Sequence, residues 1–89
     1  MSEISKLNQY INIKKIDKGT LNIQILNNEI LISIVGQFNQ NLIELEKLTN
    51  TTIFFRGNSI TVKGNSENIK KVRDAIVFLK DKFLLTNLI

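Results

Sequence analysis

Residues 27–43 read Asn27-Asn28-Glu29-Ile30-Leu31-Ile32-Ser33-Ile34-Val35-Gly36-Gln37-Phe38-Asn39-Gln40-Asn41-Leu42-Ile43, and the fold turns on the first half of that stretch. Two readings compete. Asn27-Asn28 makes a two-residue hairpin turn, and Ile30 to Val35 is the return strand. Alternatively an asparagine caps a helix, with Glu29 in the first turn where a carboxylate complements the helix dipole. Ile30, Leu31, Ile34 and Val35 then form one helical stripe. The run is short and rich in β-branched residues, so local propensity favours the strand. Pattern alone does not separate the two. Gly36 ends the element in either case.

On the N-terminal side, Leu21, Ile23 and Ile25 alternate with Asn22 and Gln24, the period of a half-buried strand. Residues 1–18 are read as an arm, loosely attached and partly disordered. Ile4, Leu7 and Ile11 would share a helix face, yet Ile11 and Ile13 alternate like a strand. Lys14, Lys15 and Lys18 make this arm either a solvated linker or an attractor of phosphate. On the C-terminal side, Asn39 to Asn50 reads as a helix with Leu42, Ile43, Leu45 and Leu48 on its apolar face. Glu44, Glu46 and Lys47 point to water, and Asn50 ends the helix in the left-handed region. Thr52–Arg56 and Ser59–Lys63 form a hairpin about Gly57-Asn58, two residues suited to the positive dihedrals of a tight turn. Asn65 or Ser66 caps a last helix with Ile69, Val72, Ile76, Leu79 and Phe83 inward, and Lys70, Lys71, Asp74 and Asp81 on the opposite face.

Composition narrows the chemistry. Eighty-nine residues hold one domain. There is no cysteine and no histidine, so thiol nucleophiles, thiolate metal sites and the usual general base are all lacking. Glu44 and Glu46 lie two apart on a helix and do not converge on one substrate atom. No catalytic residue, metal ligand or cofactor is expected. Twelve basic against eight acidic residues give a net charge of +4, which favours a polyanionic partner. No apolar run reaches the roughly 18 residues of a membrane span, and no signal peptide precedes the domain, so a cytoplasmic protein without a membrane partner is expected.

Taken in order, Ile34-Val35-Gly36, Asn41-Leu42-Ile43-Glu44-Leu45-Glu46, Thr51-Thr52-Ile53 and Ile60-Thr61-Val62-Lys63-Gly64 resemble a type I KH domain. The closer resemblance is to the N-terminal KH-like domain of PhoH-like, phosphate-starvation-inducible proteins. Gly36, Asn39, Asn41 and Leu42 match that family's first loop, and Arg56-Gly57-Asn58-Ser59-Ile60-Thr61 matches its hairpin. The resemblance implies a helix for residues 28–35. It also implies an α+β, two-layer β-α-α-β-β-α fold whose three-stranded antiparallel sheet is covered by helices on one face. The domain would span residues 19–85, with an apolar tail at residues 86–89 leading to a further domain.

The same resemblance implies a function. In KH domains a Gly-containing loop at a helix N-terminus clamps about four nucleotides of single strand, with bases in an apolar groove beside it. Here the expected nucleic-acid contacts are Gly36, Gln37, Phe38, Asn39, Asn41, Ile53, Arg56 and Lys63. The groove would be lined by Ile34, Val35, Leu42 and Ile53, with Phe54 or Phe55 at its floor. The partner would be single-stranded RNA, with DNA second. The loop departs from the KH pattern: Asn39 stands where the second glycine would be, and its side chain could cap the helix and fill the phosphate position. Gly36→Asp is expected to abolish binding while leaving the fold intact.

PhoH-like proteins carry an ATPase domain with a phosphate loop, and the glycines at 19, 36, 57 and 64 do not compose one. This chain is therefore read as a cut-out domain or a standalone relative, not as an enzyme. The alternative function is a docking or oligomerisation module without nucleic-acid binding. It would present Val77, Phe78, Leu84, Leu85, Leu88 and Ile89 to an ATPase domain of the same protein or to a second copy.

Overall fold

The computed structural model describes residues 10–87. The strands are β1 (Ile11–Asp17), β2 (Thr20–Ile25), β3 (Thr52–Arg56) and β4 (Ser59–Lys63). The helices are α1 (Asn28–Val35), α2 (Gln40–Thr49) and α3 (Ser66–Asn87), with a 3₁₀ turn at Gln37–Asn39. All strand pairings are antiparallel, and the sheet order is β1-β2-β4-β3. The fold is α+β, as expected, but the sheet has four strands and not three.

The extra strand comes from the segment read as an arm. From Ile11 onward the chain pairs with β2, Ile11 opposite Ile25 and Ile13 opposite Ile23. The hairpin closes at Lys18-Gly19, where the Asp17 carboxylate accepts the Gly19 N–H at 2.8 Å. The strand-like alternation of Ile11 and Ile13 stops at Lys15, and only Ile11 of this strand is buried, whereas in β2 the alternation runs through Leu21, Ile23 and Ile25. Residues 1–9 of the expected arm and residues 88 and 89 of the expected tail lie outside the described residues. The tail's first two positions, 86 and 87, continue α3.

Residues 28–35 are helical. Asn27 is the N-cap, its side chain accepting from the Ile30 N–H at 3.0 Å, and Gly36 closes the other end at φ 77° by donating to the Ile32 carbonyl. The helix buries Ile30, Ile34 and Val35 against α2 and α3, which a solvent-facing strand would not do. That burial outweighs the β-propensity of the run, at roughly 1.5–3 kcal/mol for each large side chain removed from water.

The core joins the inner faces of β2 and β4 (Leu21, Ile23, Ile25, Ile60, Val62) to the three helices. Gly57 supplies the positive φ of the β3–β4 turn, and Asn58, which does not have one, ties that turn to β2 by donating to the Ile25 carbonyl at 3.0 Å. α2 departs from its expected face. Leu42 is buried and Leu45 half-buried, but Leu48 is 81% exposed and Ile43 44%. The inward stripe runs instead through Leu42, Leu45, Glu46 and Thr49. Glu46, read as solvated, accepts the Ile53 N–H at 2.7 Å, and so occupies a donor on edge strand β3.

In α3, Asn65 is the capping residue, accepting from the Asn68 N–H at 2.9 Å. Ile69, Val72 and Ile76 are buried as expected. Lys80, one turn beyond Ile76, is buried too, its ammonium 3.1 Å from Oδ1 of Asp81. Asp81, expected on the solvent face, is half-buried beside it.

Two stability measurements check this packing. Ile76→Asp places an unpaired charge in the core at a cost of several kcal/mol, enough to remove the cooperative thermal transition. Glu46→Ala should lower stability by about 1–2 kcal/mol, seen as a fall in Tm of roughly 4–8 °C per kcal/mol.

Candidate nucleic-acid interface

The loop between α1 and α2 is built on three departures from ordinary backbone within four residues. Gly36 has φ 77° and ψ 177°, Phe38 φ 55° and ψ 33°, and Asn39 φ 60° and ψ 22°. Glycine adopts such values freely and asparagine tolerates them, but a bulky aromatic in the left-handed region is an outlier costing about 1–2 kcal/mol. Phe38 recovers none of this by burial, since 87% of its surface is exposed. Gln37, Asn39 and Gln40 are exposed beside it. The Asn39 side chain makes no capping bond to α2, so it does not occupy the phosphate position at the helix N-terminus.

Two expectations about this loop need correction. Asn41 is less open than a contact residue was expected to be: its amide is half-buried, donating to the Ser33 carbonyl at 3.4 Å and lying against Gly36. For the same reason Gly36→Asp would not leave the fold intact. A Cβ on Gly36 would stand 2.7 Å from Nδ2 of Asn41, on a backbone whose φ disfavours any side chain.

The expected groove is also redistributed. Ile34, Val35 and Leu42 are core residues with at most 5% exposure, so they line no groove. Alternation along β3 turns Ile53 and Phe55, both half-buried, toward the helices, and turns Thr52, Phe54 and Arg56 to the opposite, open face of the sheet. Lys63 shares that open face. Its ammonium lies 5.7 Å from the centroid of the Phe54 ring, within cation–π range. Asn22 completes a polar strip there by donating to the Ser59 and Thr61 hydroxyls at 2.7 and 3.1 Å. The structure therefore keeps Gly36, Gln37, Phe38 and Asn39 together and separates them from Arg56 and Lys63.

Charge is distributed unevenly. No lysine or arginine occurs between residues 19 and 46, so the loop carries none of its own. Lys15, Lys18, Lys70 and Arg73 line a hollow between the β1–β2 turn and α3. Lys15 and Lys18 were read in the N-terminal arm and Lys70 on the outer face of the last helix, and no linear motif joins them to one another or to Arg73. Among the described residues no cluster of acidic side chains is placed to hold a metal ion.

The strain at Phe38 has a measurable consequence. Phe38→Asn keeps a residue that tolerates the left-handed region, so it should stabilise the fold by about 1 kcal/mol. Thermal denaturation would show this as a rise of roughly 4–8 °C in Tm. An unchanged or lowered Tm would mean that the ring itself contributes to stability. No protein-family model, no curated protein and no solved structure matches this chain.

Proposed function

We propose that this domain is a KH-like module that binds single-stranded nucleic acid, RNA before DNA, through the Gly36–Asn39 loop. The observation that carries the reading is Phe38: an aromatic ring held out in solvent on strained backbone, beside a helix N-terminus that no side chain caps. Strain without a folding benefit concentrates at functional sites. An exposed aromatic is what unstacked bases of a single strand lie against, and the first-turn N–H groups of α2 favour a phosphate close by.

The order of elements supports the same reading. From β2 onward the chain runs β-α-α-β-β-α, and β2, β4 and β3 lie side by side in that order. The succession β-α-α-β-β-α is the one that the KH resemblance implies, whereas the edge strand β1 is not part of it. In place of the apolar groove read from sequence, the strand would cross Phe38 and the half-buried Ile53 and Phe55. Within a longer PhoH-like protein the module would present the strand to an ATP-driven domain.

A second reading has its own observation. Phe78 and Leu85, two turns apart on α3, are 63% and 62% exposed. Such a stripe suits docking to an ATPase domain or to a second copy of this chain. Of the residues assigned to that surface by sequence, Val77 and Leu84 are half-buried.

Fluorescence anisotropy with short labelled single-stranded RNA and DNA, at several salt concentrations, tests the first reading. If about three phosphates are held, log affinity should fall against log salt with a slope of about −2. Asn39→Asp is the appropriate variant, because it is isosteric, tolerates the left-handed backbone and adds negative charge where it suits a helix N-terminus. It should weaken binding at least tenfold with Tm unchanged or raised. No saturable binding at roughly 100 micromolar protein, within the usual non-specific range, would leave the docking reading in its place.

A further inference from the structure

The hollow between the β1–β2 turn and α3 encloses about 180 Å³. Three separate elements supply its basic side chains: Lys15 from β1, Lys18 from the turn, and Lys70 with Arg73 from α3. Lys70 and Arg73 lie three apart and so share one face of the helix. Lys15 stands opposite the inward-facing Leu21, which turns it toward α3. Buried Leu21 and Ile69 form an apolar floor, against which charge is screened less than in open water. The site goes beyond the loop and does not depend on it.

The surroundings fix the backbone that carries these cations. The Gly64 N–H donates to the Gly19 carbonyl at 3.1 Å, binding the turn that carries Lys18 to the junction from which α3 begins. Asp17 is the one carboxylate on the lining, and its Oδ1 already accepts the Gly19 N–H. Arg73 pairs with Asp74 at 3.3 Å, but both groups are well exposed. Such a surface pair is weak, and a guanidinium keeps donors to spare. The start of α3 contributes little by itself, because Asn65 caps it and Glu67 lies in its first turn. An inward-facing lysine on an edge strand also discourages pairing with another chain. That role needs Lys15 alone and does not account for three further cations on the same hollow.

We infer that this hollow is a binding site for a phosphate group, separate from the Gly36–Asn39 loop. A phosphate dianion offers several strong acceptors at once; Arg73 would meet it in a forked, bidentate manner, with the lysine ammonium groups as point charges around it. The group is carried either by a small ligand, as in pyrophosphate, or by a nucleic-acid strand.

Inorganic pyrophosphate is titrated into the whole chain while backbone amide shifts are followed by NMR. Saturable shifts confined to residues 15–21 and 66–73, with half-saturation near or below roughly 1 mM, are expected. Lys70→Gln/Arg73→Gln should weaken binding at least tenfold. Lys47→Gln, a lysine elsewhere on the surface, should leave it unchanged. Lys18→Gln provides the same loss from another element should the double variant fold poorly. Shifts spread over all surface lysines, shifts that survive these substitutions, or none up to roughly 10 mM would overturn the site. A short strand with a 5′-phosphate then separates the sources. Displacement of pyrophosphate by the strand assigns the phosphate to nucleic acid, and failure to displace it assigns a small ligand. Because Asn39→Asp leaves this hollow untouched, a result there stands or falls separately from the loop.

Discussion

The apolar inner face of β2 has to be covered, and most of this architecture follows from that. Ile23 lies opposite Ile13 on one side and Ile60 on the other, with no exposed surface, and Ile25 is as deeply buried. A sheet whose central strands present such a face is stable only with a second layer over it. α1 and α3 supply that layer with Ile30, Ile34, Val72 and Ile76, all fully buried. The same demand decides the state of residues 28–35. As a strand they would widen the sheet and leave its inner face bare, whereas as a helix they close it.

Closing the layer constrains the α1–α2 connection. α1 and α2 must both turn apolar residues toward the sheet within the few positions from Val35 to Leu42. The chain does this by placing Gly36, Phe38 and Asn39 at positive φ and by packing the Asn41 amide against Gly36. Glycine and the two asparagines are suited to their places. Phe38 is not, and its ring gains nothing from the core. The conflict between local preference and fold is thus confined to one exposed residue.

Electrostatics divides the surface differently from the loop motif. The stretch from residue 19 to residue 46 supplies most of α1, the loop and α2 without one basic side chain. Apart from Lys47 in the last turn of α2, the described basic residues lie in the N-terminal hairpin, on the open sheet face and along α3. Long-range attraction of a polyanion would therefore be directed away from the loop, and in the proposed function the loop's own contribution would rest on backbone N–H groups and an aromatic ring. On the two proposals, anion-facing regions of different chemistry, one dipolar and one cationic, would share this small domain.

Much was legible in the residues themselves. Period-two alternation located β2, Gly57-Asn58 located the β3–β4 hairpin, and spacing of three and four located the buried stripe of α3 from Ile69 to Ile76, because each signal is local. Asn50 likewise announced a helix end through its backbone tolerance, and Asn65 was one of two adjacent candidates for a cap, whereas Asn27 fitted a hairpin turn as well as a cap. Tertiary structure alone decided the rest. β1 has one buried residue and gains its identity only by pairing with β2. The helical state of residues 28–35 follows from burial that overrides β-propensity. Glu46 and Lys80 fall inward because the stripes of α2 and α3 are set by what packs against them, and residue type does not show it. Arg56 and Lys63 part from the loop because the pleat of a strand assigns faces only once the sheet has a covered side. Lys15, Lys18, Lys70 and Arg73, more than fifty residues apart at their extremes, meet because antiparallel pairing returns the turn to the start of α3. Sequence by itself determined the elements with local periods and caps; the fold decided which faces and which distant charges meet, since those depend on long-range packing.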